Sequence, residues 1–288
     1  MSFPQPHTAR RTTGVLLASV AALLTAGIPA AAASTAPAPA KTAPALAKSA
    51  PAPAENAPAP AKTAHATAAV LDLDGHGRAP VVHGADTSYD TASIVKVDIL
   101  AALMLKAQDA HRALTAGERQ HAEPMIERSD NAAADALWRE IGRAPGLAAA
   151  NKRLGLTSTT GGAGGLWGLT QTTASDQIRL LGAVFDNRTA KTGSDPLSAR
   201  SRAYMRDLMS HVVPEQAWGV SAVNASGAQR ALKNGWLQRT STGLWDVNSV
   251  GQVNVNGHRC LVAVLSNGSA SMNAGISLVE RTAREAVA

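Results

Sequence analysis

Ser93-Ile94-Val95-Lys96-Val97-Asp98-Ile99-Leu100-Ala101-Ala102-Leu103-Met104-Leu105 is the stretch on which the reading of this 288-residue chain turns. Its apolar residues, Val97, Ile99, Leu100, Leu103 and Met104 among them, recur at the spacing of a largely buried helix. A serine at the start of such a helix sits among unpaired backbone N–H groups, and a lysine one turn on lies over the same face. Held against apolar walls and beside another cation, a lysine loses proton affinity and can take the proton of a serine hydroxyl, itself a feeble nucleophile. Ser93 is therefore the candidate nucleophile and Lys96 its base. An S-x-x-K match also arises by chance in a chain of this length, so its weight depends on its company.

Two further strings supply that company. Ser129-Asp130-Asn131 falls between a helical stretch, 116–128, and another beginning near Ala132. In such a turn a second hydroxyl can relay a proton to a leaving nitrogen, and an amide can hold an acylated substrate and the lysine. The same three residue types also serve as helix N-caps, and Asp130 or Asn131 capping the helix 132–141 is the plainer reading. Lys233-Asn234-Gly235 leads into Trp236 and then two strand-like runs, 247–255 and 260–265, joined by Asn256-Gly257. A lysine there would stand on a strand edge, able to attract a substrate carboxylate while a neighbouring backbone N–H stabilises an oxyanion. Lys191-Thr192-Gly193 matches a K-[ST]-G pattern more literally. Asp195-Pro196 and a helical run follow it, however, so it reads as a loop with Asp195 as N-cap and Pro196 at the first helical position.

With the three strings in this order the chain, from about Ala68 to Ala288, resembles the penicillin-recognising serine hydrolases, most closely the class A β-lactamase-like branch. The resemblance implies an α+β fold: a five-stranded antiparallel sheet flanked by helices, beside an all-helical subdomain, with the site between them. It also implies that Ser93 is acylated, that Lys96 and Ser129 handle protons, and that Asn131 holds the substrate amide. Lys233 would attract a carboxylate, with Asn234, Gly235 and Trp236 completing the substrate-binding edge. The backbone N–H groups of Ser93 and Trp236 would form the oxyanion hole. Four features depart from the family. No glutamate stands between Glu140 and Glu215, although class A enzymes use one there to activate the deacylating water. The corresponding stretch, Thr159 to Gln171, is glycine-rich and carries no ionisable side chain. Asn234 replaces the hydroxyl residue of K-[ST]-G. The Ser93-to-Ser129 interval is short, which implies a more open cleft, and the helix that normally precedes the first strand is not visible in the proline-rich segment.

The remaining composition fits an exported enzyme. Residues 1–33 carry Arg10-Arg11, an apolar run from Gly14 to Ile28 and a run of alanines, the layout of a cleavable signal peptide rather than a membrane span. Residues 34–67 form an Ala/Pro/Lys-rich linker in which Ala-Pro-Ala-Pro-Ala-Lys-Thr-Ala occurs twice, expected to act as an extended tether. Residues 68–288 form the hydrolase domain, long enough to bury its own core. The formal charge of +6 comes largely from the leader and tether, and no motif supports nucleic-acid binding. Cys260 is the only cysteine and lies in an apolar strand, where an inert buried thiol is expected. The eight histidines form no metal-ligand pattern, so no metal or cofactor is expected. No G-x-S-x-G elbow appears. The expected protein is a secreted monomer, loosely wall-associated at most. Its partner would be a small-molecule β-lactam or a peptidoglycan stem peptide, acylated by the serine and released slowly. The alternative is a degenerate relative that binds penicillin or wall peptide as a sensor.

Overall fold

The computed structural model describes residues 63–75, 79–187 and 195–288. The leader, nearly all of the tether, Lys191-Thr192-Gly193 and part of the first hairpin turn lie outside them. Strands β1 (His65–Asp72), β2 (Val81–His83), β5 (Ala231–Gln238), β6 (Trp245–Val255) and β7 (His258–Asn267) form one antiparallel sheet in the order β2-β1-β7-β6-β5. The β6–β7 turn is Asn256-Gly257, both with positive φ (52° and 84°), the backbone a tight right-twisted hairpin requires. Along β7 the side chains alternate: Leu261, Ala263 and Leu265 join one apolar cluster, and Cys260, Val262 and Val264 the other. The sheet is thus buried on both faces.

On the second face lie helix α7 (Met272–Ala286) and a 3-10 turn, Gly219–Val223, with Val279 and Ala283 buried against Val247 and Val262. On the first face pack α1 (Val95–Asp109), α2 (Ala116–Glu127), α3 (Asn131–Glu140), α4 (Arg143–Leu154), α5 (Ala174–Phe185) and α6 (Ala199–Ser210). Helix α1 is the hub. Val95, Val97, Ile99, Leu100, Leu103 and Leu105 are all buried, because helices surround it on every side. Truncating one of its leucines to alanine would cost about 2–5 kcal/mol.

Several elements differ from the sequence expectation. Ser93 stands on a 3-10 turn, Ala92–Ile94, that precedes α1 rather than inside the helix. Helix α6 is capped by Ser198, whose Oγ accepts from Ser201 N at 3.2 Å, and not by Asp195. Asp195 is instead paired with Arg202, and the Pro196 carbonyl accepts from Gln108, so both are drawn out of the helical turn. A second, two-stranded sheet, β3 (Tyr89–Asp90) with β4 (Gln171–Thr172), was not anticipated, since two-residue strands leave no periodicity to read.

One buried charge sits within this core. Asp98 of α1 is fully buried and accepts from Gln177 Nε2 of α5 at 3.4 Å. Its Oδ2 and the Gln177 Oε1 have no partner among the described residues. A proton on the carboxyl supplies the missing donor, and burial pushes Asp98 up to about 7. The folded value lies above the unfolded one, so the stability this group contributes is complete below about 4 and is lost as pH rises through about 7. Asp98→Asn, which cannot ionise, is expected to melt roughly 5 °C above wild type at pH 8, with the gap narrowing at pH 5, as read by calorimetry.

Candidate active site

The nucleophile segment is held by the sheet. Asn248 of β6 is buried, and its Nδ2 donates to the carbonyls of Asp90 (2.8 Å) and Thr91 (3.0 Å), the residues leading into Ser93. Its Oδ1 accepts from Ser266 N of β7 at 2.9 Å, so the amide is used at both ends. Ala92 carries a φ of 47°, a costly conformation for a side-chain-bearing residue that this clamp sustains. The other side of the turn meets Gly235 of β5. A Cβ there would lie 2.6 Å from Ser93 N and 2.8 Å from Ile94 N, so only glycine lets the strand approach.

Lys96 projects from the first turn of α1 into a shell of oxygens. Its Nζ lies 3.0 Å from Ser93 Oγ, 2.7 Å from the Ser129 carbonyl, 3.0 Å from Ser129 Oγ and 2.8 Å from Asn131 Oδ1. The Trp167 ring covers its remaining side, with 4.8 Å from nitrogen to ring centroid. The 129–131 turn reaches it because Ser129 adopts a φ of 58° and Asp130 caps α3, its Oδ1 accepting from Ala133 N at 2.7 Å. The capping and site readings of this tripeptide therefore both apply, to different residues. Burial lowers Lys96 to about 8, opposed by the negative charges of Asp130 and Asp135. A neutral amine has two N–H groups, and the Ser129 carbonyl and Asn131 Oδ1 take both as pure acceptors. The lone pair then faces the hydroxyls of Ser93 and Ser129.

Lys233 of β5 is fully buried; its Nζ donates to Ser129 Oγ at 2.9 Å and to the Asn234 carbonyl at 2.9 Å. Burial, with Lys96 nearby, holds it well below the ordinary lysine value. Ser129 Oγ thus sits between two amines, with its proton free to point into the cleft. The structure brings Ser93, Lys96, Ser129, Asn131, Lys233 and Gly235 together in this way.

Asn234 and Trp236 are placed differently, because strand alternation turns them to the opposite face from Lys233 and Gly235. Asn234 is buried and its Nδ2 donates to the carbonyls of Gln216 (2.7 Å) and Trp218 (3.0 Å), while Trp236 packs tilted on Trp218 at 5.9 Å between ring centroids. The Asn234 side chain anchors that loop and does not face the cleft, which corrects its expected place in substrate binding. Gln216 extends the link, its Nε2 donating to the Arg128 carbonyl at 2.8 Å beside Ser129. Sequence reasoning missed Gln216, Asn248 and Asp135 as supports. Asn248 had a signal, an amide in the middle of an apolar strand; Gln216 had none.

Residues 117–288, more than half of the chain, match the family model described as the Beta-lactamase enzyme family. The chain belongs to that family. Its match begins after Ser93 and Lys96, so geometry joins these two to the matched region. Among solved structures the fold is shared with the TLA-1 extended-spectrum β-lactamase (TM-score 0.66, 16% identity, 78% of this chain and 92% of that one). It is shared likewise with PBP-A (TM-score 0.64, 23% identity, 77% and 88%). A β-lactamase from Chitinophaga pinensis DSM 2588 gives a TM-score of 0.63 at 17% identity over 76% and 92%. No curated protein matches the chain.

Gly235→Ala is expected to push β5 off the Ser93 turn and to lower the acylation rate constant by about 100-fold or more, since displacements near 1 Å cost that much. Asn234→Thr, which restores the family's hydroxyl type, is expected not to tighten binding of anionic substrates and to destabilise the fold by about 1–3 kcal/mol through two unsatisfied carbonyls. Penicillin titrations and denaturant melts read the two effects separately.

Proposed function

We propose that this family member is a secreted serine hydrolase that forms a covalent acyl-enzyme with β-lactams or D-alanyl wall peptides and releases it slowly. The observation that carries this reading is the position of Lys96 Nζ, 3.0 Å from both the Ser93 and the Ser129 hydroxyl oxygens. Ser93 Oγ attacks the carbonyl carbon as its proton passes to the Lys96 lone pair, and an oxyanion forms. The C–N bond then breaks, and the leaving nitrogen takes the Ser129 hydroxyl proton, which is replaced from a protonated lysine. Lys233 lacks an acidic partner among its close contacts, so a substrate carboxylate would supply the countercharge that its burial denies it.

Slow release follows from the loop over Lys96, where residues 159–171 offer no carboxylate to activate water. General-base help of that kind is typically worth about 10²- to 10⁴-fold. The same observation favours the second reading, a penicillin-responsive sensor that is acylated once. PBP-A, of similar fold, is known as an acyl-enzyme complex with penicillin G. Secretion is inferred from the leader-like residues 1–33, with the tether free to associate with a cell wall.

Labelling with a fluorescent penicillin tests the proposal: wild type is expected to hold a covalent adduct and Ser93→Ala none. The acylation rate is expected to rise with pH through about 8, because Lys96 must lose its proton to act as base. Asp130→Asn removes the larger of the two charges that hold the proton on, and the midpoint is expected to fall. A fast steady state with a chromogenic cephalosporin would overturn slow release, and an adduct on Ser93→Ala would overturn the nucleophile.

A further inference from the structure

Trp167 begins the 3-10 turn Trp167–Leu169 at the end of the glycine-rich loop. The loop is closed by a bridge between Thr160 and Gln171, with N–H to O distances of 2.8 and 2.9 Å. It is folded so tightly that a Cβ on Gly162 would lie 2.1 Å from the Leu166 carbonyl oxygen. The indole N–H of Trp167 donates to Asp135 Oδ1 of α3 at 2.7 Å, and its ring lies 4.8 Å from Lys96 Nζ. Lys96 is fully buried as a result. Three walls of its pocket, Ser93, Ser129 and Asn131, supply polar oxygens, and the fourth is this ring.

We propose that Trp167, braced by Asp135, is a shield that keeps hydrolytic water from the Ser93 ester, so that the site retains its acyl group. The inference rests on the acyl-enzyme reading above. In deacylation a water oxygen bonds to the acyl carbon and gives one proton to a base. The bond from that carbon to Ser93 Oγ then breaks, and the serine oxygen takes the proton back as the free acid is released. Lys96 is the titratable group bonded to Ser93 Oγ, so a water that it deprotonates must approach from the lysine's side. The space between ring and ammonium is too thin for a water layer, and that approach opens only when the indole swings away. Excluding water from a reactive intermediate in this way prevents its hydrolysis. Trp167 is thus a positioning residue for water, and Asp135 acts through it. The exposed location of Asp135 on α3 leaves the brace itself open to solvent.

Release of the fluorescent penicillin adduct, measured on full-length wild type and variants after removal of free label, tests the shield. Trp167→Ala is expected to release at least about tenfold faster than wild type, a fraction of what a dedicated base provides. Asp135→Ala, which leaves the indole unbraced, should also release faster. Asp135→Asn, which keeps an oxygen acceptor for the indole, should release more slowly than Asp135→Ala. Wild-type release by Trp167→Ala, or equal release by the two Asp135 variants, overturns the shield. If Trp167→Ala does not fold, the Asp135 pair carries the comparison. Absence of any adduct on wild type would instead sink the acyl-enzyme reading, so the two failures are told apart.

Discussion

A buried amine surrounded by four oxygens is the interaction on which the rest of this site depends. Lys96 leaves water completely, and the cost of that is offset by acceptors drawn from three segments: the Ser93 turn, the left-handed Ser129 residue and the first residue of α3. The same burial that costs stability lowers its proton affinity toward neutrality, which is what makes it useful as a base. Lys233 repeats the device from the sheet side, and the hydroxyl of Ser129 lies between the two amines. Neither lysine has a carboxylate in contact, so the centre is short of negative charge.

A second constraint is close approach. Strand β5 must lie almost against the turn that carries Ser93, and the missing side chain at Gly235 makes room for it. The alternation of a strand then decides which neighbours reach the cleft. Lys233 and Gly235 face the nucleophile, while Asn234 and Trp236 face Trp218 and the C-terminal side of the sheet. A substitution that looks like a change in substrate recognition, asparagine for a hydroxyl residue, is in this chain a change in how a loop is pinned.

Much of this was legible in the residues because helix α1 is apolar around its whole circumference and the β6–β7 hairpin carries Asn-Gly at its turn. Those features place the sheet and the central helix, and with them Ser93, Lys96 and Lys233. What was not legible depends on long-range contacts. The β3–β4 pair is too short for a pattern, and Gln216 reaches the Ser129 turn from 88 positions away in the chain. The start of α6 was misplaced because Asp195 and Pro196, good local starters, are engaged by Arg202 and Gln108. Trp167 could be placed near the cleft from its loop, but its contact with Lys96 could not be read, since a glycine-rich segment has no periodicity from which to orient a ring.

The Asn248 clamp carries a practical corollary. Its amide belongs to an interior strand, yet it fixes the two peptide carbonyls just ahead of the attacking serine. Aim of the nucleophile and integrity of the sheet are therefore a single cooperative property. A chain that keeps every motif but loses this strand pairing would be chemically silent, so covalent labelling of residue 93 doubles as an assay of how much of a preparation is natively folded.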